Sequence, residues 1–94
     1  MIYIVETFIA HGEKSRSPIR VRPVAGQGLS PTMRVECSKS MRTAYPIGQK
    51  FCINAKITQR LGSPDFLYSS YRDEWNPVTD EEAQKFIKDI YSKK

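Results

Sequence analysis

Six cations stand in strand-like parts of the chain: Arg20, Arg22, Arg34, Lys50, Lys56 and Arg60. Most alternate with apolar residues, and a strand sends alternate side chains to one face. A face of this kind neutralises phosphates and releases counterions, which is the source of sequence-independent affinity for nucleic acid. Two tyrosines follow, Tyr68 and Tyr71, either of which offers a ring for stacking a base. They have opposite parity, so a regular strand presents only one of them to the basic face. Glu36 is the one acid among these outward positions. The same pattern also describes a solvated sheet face whose cations maintain solubility and protect edges. These eight residues form the candidate nucleic-acid-binding set, for DNA or RNA.

Other chemistries find less support. Ser38, Lys39, Ser40, Arg42 and Thr43 crowd hydroxyls and cations into one segment that suits a phosphate through hydroxyl and backbone N–H donors, or an ordinary polar connection. Gly26-Gln27-Gly28 precedes Ser30-Pro31 and no helix pattern, so the context of a nucleotide fingerprint is missing. His11 is the sole histidine and lies in a polar loop, and there is no Cys-x-x-Cys spacing. Neither a metal nor another cofactor is expected. No Ser–His–Asp set is visible. Cleavage of a polyanion without a metal would need His11 or Glu36 as a base beside the cations, and the expectation is a non-catalytic protein.

The elements that must position these residues are legible from periodicity. Lys50 to Arg60 sorts Phe51, Ile53, Ala55 and Ile57 onto one parity and Lys50, Cys52, Asn54, Lys56, Thr58 and Arg60 onto the other, which predicts one long half-buried strand. Ile2 to Ile9 is apolar on both parities and predicts a strand near the middle of the fold. His11 to Pro18 is a polar loop. Ile19 to Val24 predicts a strand that ends at Pro23 or lies on an edge, because proline cannot donate to a ladder. Met33 to Cys37 alternates again. Met41, Ala44 and Tyr45 allow a helical turn before Pro46, and Leu61 to Asp65 is a turn before a fifth strand, Phe66 to Tyr71.

Asn76-Pro77 breaks the chain ahead of a helix. Thr79 and Glu82 have the spacing of a capping box, and Asp80, Glu81 and Glu82 suit the helix dipole. Ala83, Phe86, Ile87, Ile90 and Tyr91 form an apolar stripe at helical spacing. Five strands and a C-terminal amphipathic helix predict an α+β fold, a mostly antiparallel curled sheet or small open barrel of OB or SH3 type by element count.

Ninety-four residues, 39% of them apolar, fit one domain spanning 1–94, β-rich over 1–72 with a linker and helix over 73–94. Residues 1–72 hold eleven Lys or Arg against four Asp or Glu, a balance of +7, while residues 73–94 hold four against six, a balance of −2. The basic character therefore belongs to the sheet. No apolar run reaches the ~18 residues of a membrane span, and the apolar opening lacks the flanks of a signal peptide. Cys37 and Cys52 have opposing parities and are expected to remain free thiols, as in a reducing cytoplasm. The expected function is a small binding domain engaging nucleic acid through its basic sheet face. The alternative is a protein-interaction or homo-oligomerisation module, with an acidic helix end facing a basic sheet and an open edge near Pro23. A small-ligand pocket lined by Tyr45, Trp75 and Tyr91 is a third arrangement.

Overall fold

The β-branched and aromatic run Ile2–Ile9 forms β1, and its two apolar faces are explained by its place inside a sheet. In a computed structural model of the protein, describing residues 1–9, 19–70 and 72–91, β1 is flanked on both sides. The loop His11 to Pro18, Tyr71 and the terminal lysines Lys93 and Lys94 lie outside the described residues. Strand β2 (Ile19–Pro23) pairs antiparallel with β1, Val21 opposite Thr7 and Arg22 opposite Glu6. On the other side β4 (Lys50–Asn54) pairs antiparallel with β1, and β7 (Trp75–Val78) closes the order β2-β1-β4-β7. A second sheet has the order β3-β6-β5, from β3 (Val35–Glu36), β6 (Ser63–Tyr68) and β5 (Lys56–Arg60). Only the β3–β6 pairing is parallel.

The α+β class, the mostly antiparallel pairing and the C-terminal helix agree with the sequence reading. The five-stranded barrel does not: seven strands form two sheets among the described residues, and neither closes. The long strand over Lys50 to Arg60 is the source of the difference. It divides at Ala55, whose N–H donates to the Met1 carbonyl at 2.8 Å, while the neighbouring Asn54 carbonyl accepts from Ser69 Oγ at 2.8 Å. Ala55 is buried between the sheets, a position where a small side chain lets the chain pass from one to the other. Ile57 keeps its inward parity beside Leu67, but β5 is an edge strand and leaves it 48% exposed.

Proline placement follows the same edge logic. Thr7 donates to the Gln49 carbonyl, so the odd residues of β1 bond toward β4 and the even ones toward β2. The alternation carries across both partners and turns the nitrogens of Pro23 and Pro77 outward, where no ladder bond is lost. Asn76-Pro77 therefore belongs to an edge strand and is not a break.

The core lies between the sheets. Tyr3, Val5, Val21, Phe51 and Ile53 from the first meet Val35 and Leu67 from the second, with Met41 of α1 (Lys39–Thr43) fully buried among them. Tyr45, Phe51 and Trp75 interlock edge to face, with centroids 5.2–6.0 Å apart. Tyr45 and Trp75 thus pack, partly buried, against the core.

Helix α2 (Asp80–Tyr91) starts with the predicted capping box: Thr79 N–H donates to Glu82 Oε1 at 3.0 Å and Glu82 N–H to Thr79 Oγ1 at 3.1 Å. Its stripe is docked more loosely than the spacing implies. Ala83 is buried, Phe86, Ile87 and Tyr91 are half-buried, and Ile90 is 56% exposed. No helix among the described residues is long and apolar enough to cross a membrane.

Candidate functional site

Strands β2 and β3 are edge strands of different sheets, and a cleft of about 660 Å³ opens beside them. The alternation of β2 supplies Arg20 and Arg22 to it, the residue entering β3 supplies Arg34, and the short helix α1 supplies Arg42. Four arginines from three elements thus border one concavity, with Phe8 in its wall. Glu36 is the one carboxylate among its described lining residues.

Arg22 is oriented from two sides. Its Nε donates to Glu6 Oε2 at 3.0 Å, and its guanidinium carbon stands 4.6 Å from the Phe8 ring centroid. A guanidinium over an aromatic face is attracted by the ring quadrupole and keeps its remaining N–H donors available. Arg42 Nε is buried and makes no hydrogen bond among the described residues.

Arg34 joins the cleft to the outer face of the second sheet. Its guanidinium carbon lies 4.8 Å from the centroid of Phe66, and that of Arg60 lies 4.9 Å from the same ring. Phe66 points away from the core yet is 1% exposed, because two guanidiniums cover it. Arg60 Nη2 also approaches Glu36 Oε2 at 3.7 Å. Next along this face the register aligns Glu36, Tyr68 and Lys56 across three strands. Lys56 is exposed and Tyr68 is 41% exposed.

The six strand cations are thus divided. Arg20, Arg22 and Arg34 share the cleft, and Arg60 and Lys56 extend from Arg34 over the second sheet. Lys50 stands apart. Its Nζ is 2.8 Å from Asp80 Oδ1 and 3.7 Å from Glu6 Oε1, and the bond to Asp80 with help from Glu6 raises its pKa. Tyr71 lies outside the described residues.

Three participants were not in the sequence-derived set. Arg42 was visible only as part of a polar segment, and its place beside Arg34 depends on how α1 packs. Phe8 and Phe66 stand in strand segments, and nothing local marks a ring that will meet guanidiniums from other parts of the chain.

The thiol in the cleft wall is not activated. Burial pushes Cys37 up to about 11 although Arg42 pulls the other way, so it stays protonated near neutrality. Cys52 is also raised by burial, and both cysteines are free. Among the described residues no group of three His, Cys, Asp or Glu side chains is placed to hold a metal ion. Tyr91, the remaining member of the alternative pocket, packs at the margin of the core. A smaller opening of about 350 Å³ on the first sheet sets Asp73 and Glu74 against Arg72, so arginine dominance is a property of the larger cleft. Comparison with protein-family models, curated proteins and solved structures returns no match for this chain.

Proposed function

We propose that the chain is a small non-catalytic binding domain that engages nucleic acid through the arginine-lined cleft and the adjoining outer face of the second sheet. The observation that carries this reading is the convergence of Arg20, Arg22, Arg34 and Arg42 on one concavity, four cations against Glu36 in the lining and Glu6 behind Arg22. Cations gathered around one opening raise the local concentration of anions there. Planar guanidinium forks also suit phosphate oxygens, to which they bond in pairs.

The reading predicts a salt-dependent affinity. Log affinity should fall linearly with log salt concentration, and Arg34→Ala should flatten the slope by about one unit. Fluorescence anisotropy of a labelled oligonucleotide measures both. If no oligonucleotide binds more tightly than ~100 µM at low salt, the proposal fails, since weak non-specific binders reach that level.

A second reading, a protein-interaction or homo-oligomerisation module, is favoured by a different observation. Leu61 is fully exposed at the tip of the β5–β6 hairpin, and Ile57 is exposed on the edge strand behind it. Light scattering over a concentration series distinguishes the two: a dimer unaffected by high salt would indicate an apolar contact.

A further inference from the structure

We infer that the cleft accepts a single strand of nucleic acid in preference to a duplex, with Tyr68 as the ring on which a base stacks. This deepens the reading above and rests on it.

Shape favours one strand over two. Arg22 lies on one sheet edge and Arg34 on another, so the charges face a gap instead of lining a flat or convex surface. A volume of about 660 Å³ falls in the ~300–1,000 Å³ range of sites that enclose a small molecule. A duplex is a stiff cylinder with its phosphates on the outside, and it cannot lower its backbone into such a gap. One flexible strand can, with phosphates on the arginines and bases turned outward.

The neighbours of the arginines favour a single strand as well. Single-strand sites pair a cationic groove with exposed rings, because unpaired bases have free π-faces that a duplex hides in its stack. Tyr68 sits directly opposite Glu36 in the ladder, so it stands at the rim of the cleft, with Lys56 on its far side. Tyr68 is 41% exposed, whereas Phe66 two residues earlier is shut in by Arg34 and Arg60. A base leaving the cleft meets Tyr68 first.

The test is anisotropy with the full chain and labelled oligomers of about 16 nucleotides, the upper end of single-strand site sizes. A DNA strand, an RNA strand of the same sequence and the corresponding duplexes are compared at about 50 mM salt. The expected result is binding of at least one strand about ten-fold more tightly than either duplex. Tyr68→Leu should weaken strand binding about five-fold, the low end of what one stacked base contributes, and leave duplex binding unchanged. Tyr68 is surface-placed, so this variant keeps the fold, which circular dichroism verifies. Equal affinity for strands and duplexes overturns the inference while the broader nucleic-acid reading stands, and an unchanged strand affinity in Tyr68→Leu overturns it equally. Failure of every oligomer to bind removes both.

Discussion

Gln27 stands where a strand would otherwise have ended badly. Beyond Pro23 the edge of β1 continues without a strand partner, and the Gln27 carboxamide fills the gap. Its Oε1 accepts from Ile4 N–H at 2.7 Å, and its Nε2 donates to the carbonyls of Ile4 at 2.7 Å and Val24 at 2.8 Å. The side chain thus imitates a peptide group and extends the ladder by one rung. The flanking glycines make this reach attainable: Gly26 and Gly28 have φ of +100° and +77°, a region that side chains disfavour. A Cβ on Gly26 would also stand 3.2 Å from Ile87 Cγ2 of α2. The glycine spacing is therefore structural. Gln27→Ala leaves the buried Ile4 N–H unpaired, and urea denaturation should show a loss of about 1–3 kcal/mol. Gln27→Glu should be no better at neutral pH, because a carboxylate accepts from Ile4 N–H but cannot donate to the two carbonyls.

At the level of elements, the parts that announced themselves locally were read correctly and those decided by long-range contact were not. The capping box of α2 needs only residues three apart, so Thr79 and Glu82 were identifiable from their spacing. The central position of β1 followed from apolar residues on both parities. Nothing within Lys50 to Arg60 marks Ala55 as a crossing point, because alternation continues through it and the division depends on Met1 and Ser69. The edge strand β7 was likewise hidden by Pro77, whose cost vanishes only once its outer side is known to lack a partner strand in the sheet. The capping box yields a prediction with a defined sign. The Thr79 backbone N–H, helped by its side chain, holds the Glu82 carboxyl below its usual pKa. A depressed carboxyl stabilises the fold above its unfolded pKa, and this stabilisation is lost as pH falls through the folded value. Thr79→Ala should cost about 1 kcal/mol at neutral pH. Alanine keeps the backbone N–H that does most to lower the Glu82 pKa, so both proteins should lose the Glu82 contribution in acid and the difference between them should change little. Thermal unfolding of the two proteins between neutral and acidic pH measures the difference.

Across the whole molecule, position decides what a charge can do more than the total of +5 does. The imbalance between residues 1–72 and 73–94 was apparent in the sequence, but which cations stand together was not. That depends on the two sheet edges meeting beside α1, a contact between residues distant in the chain. Lys50 and Arg34 show the consequence. Both belong to outward parities of strands, yet Lys50 is held by Asp80 and Glu6, while Arg34 lines the cleft and covers Phe66. Lys50→Gln and Arg34→Gln each remove one positive charge, so a protein that attracts polyanions through its overall field should suffer equally from either. The adjacency reading expects otherwise. On the proposed function Arg34→Gln would remove a phosphate contact and loosen the cover over the Phe66 ring, whereas Lys50→Gln removes a charge already balanced by two carboxylates. Oligonucleotide affinity at low salt should therefore fall about five-fold or more for Arg34→Gln, with a salt slope smaller by about one, and change less than two-fold for Lys50→Gln. The stability cost runs the other way in part, because Lys50 links α2 to the first sheet, so unfolding midpoints must be measured beside the titrations. Equal losses of affinity in two folded variants would mean that the field of the whole protein acts, and that the cleft is only where the arginines happen to lie.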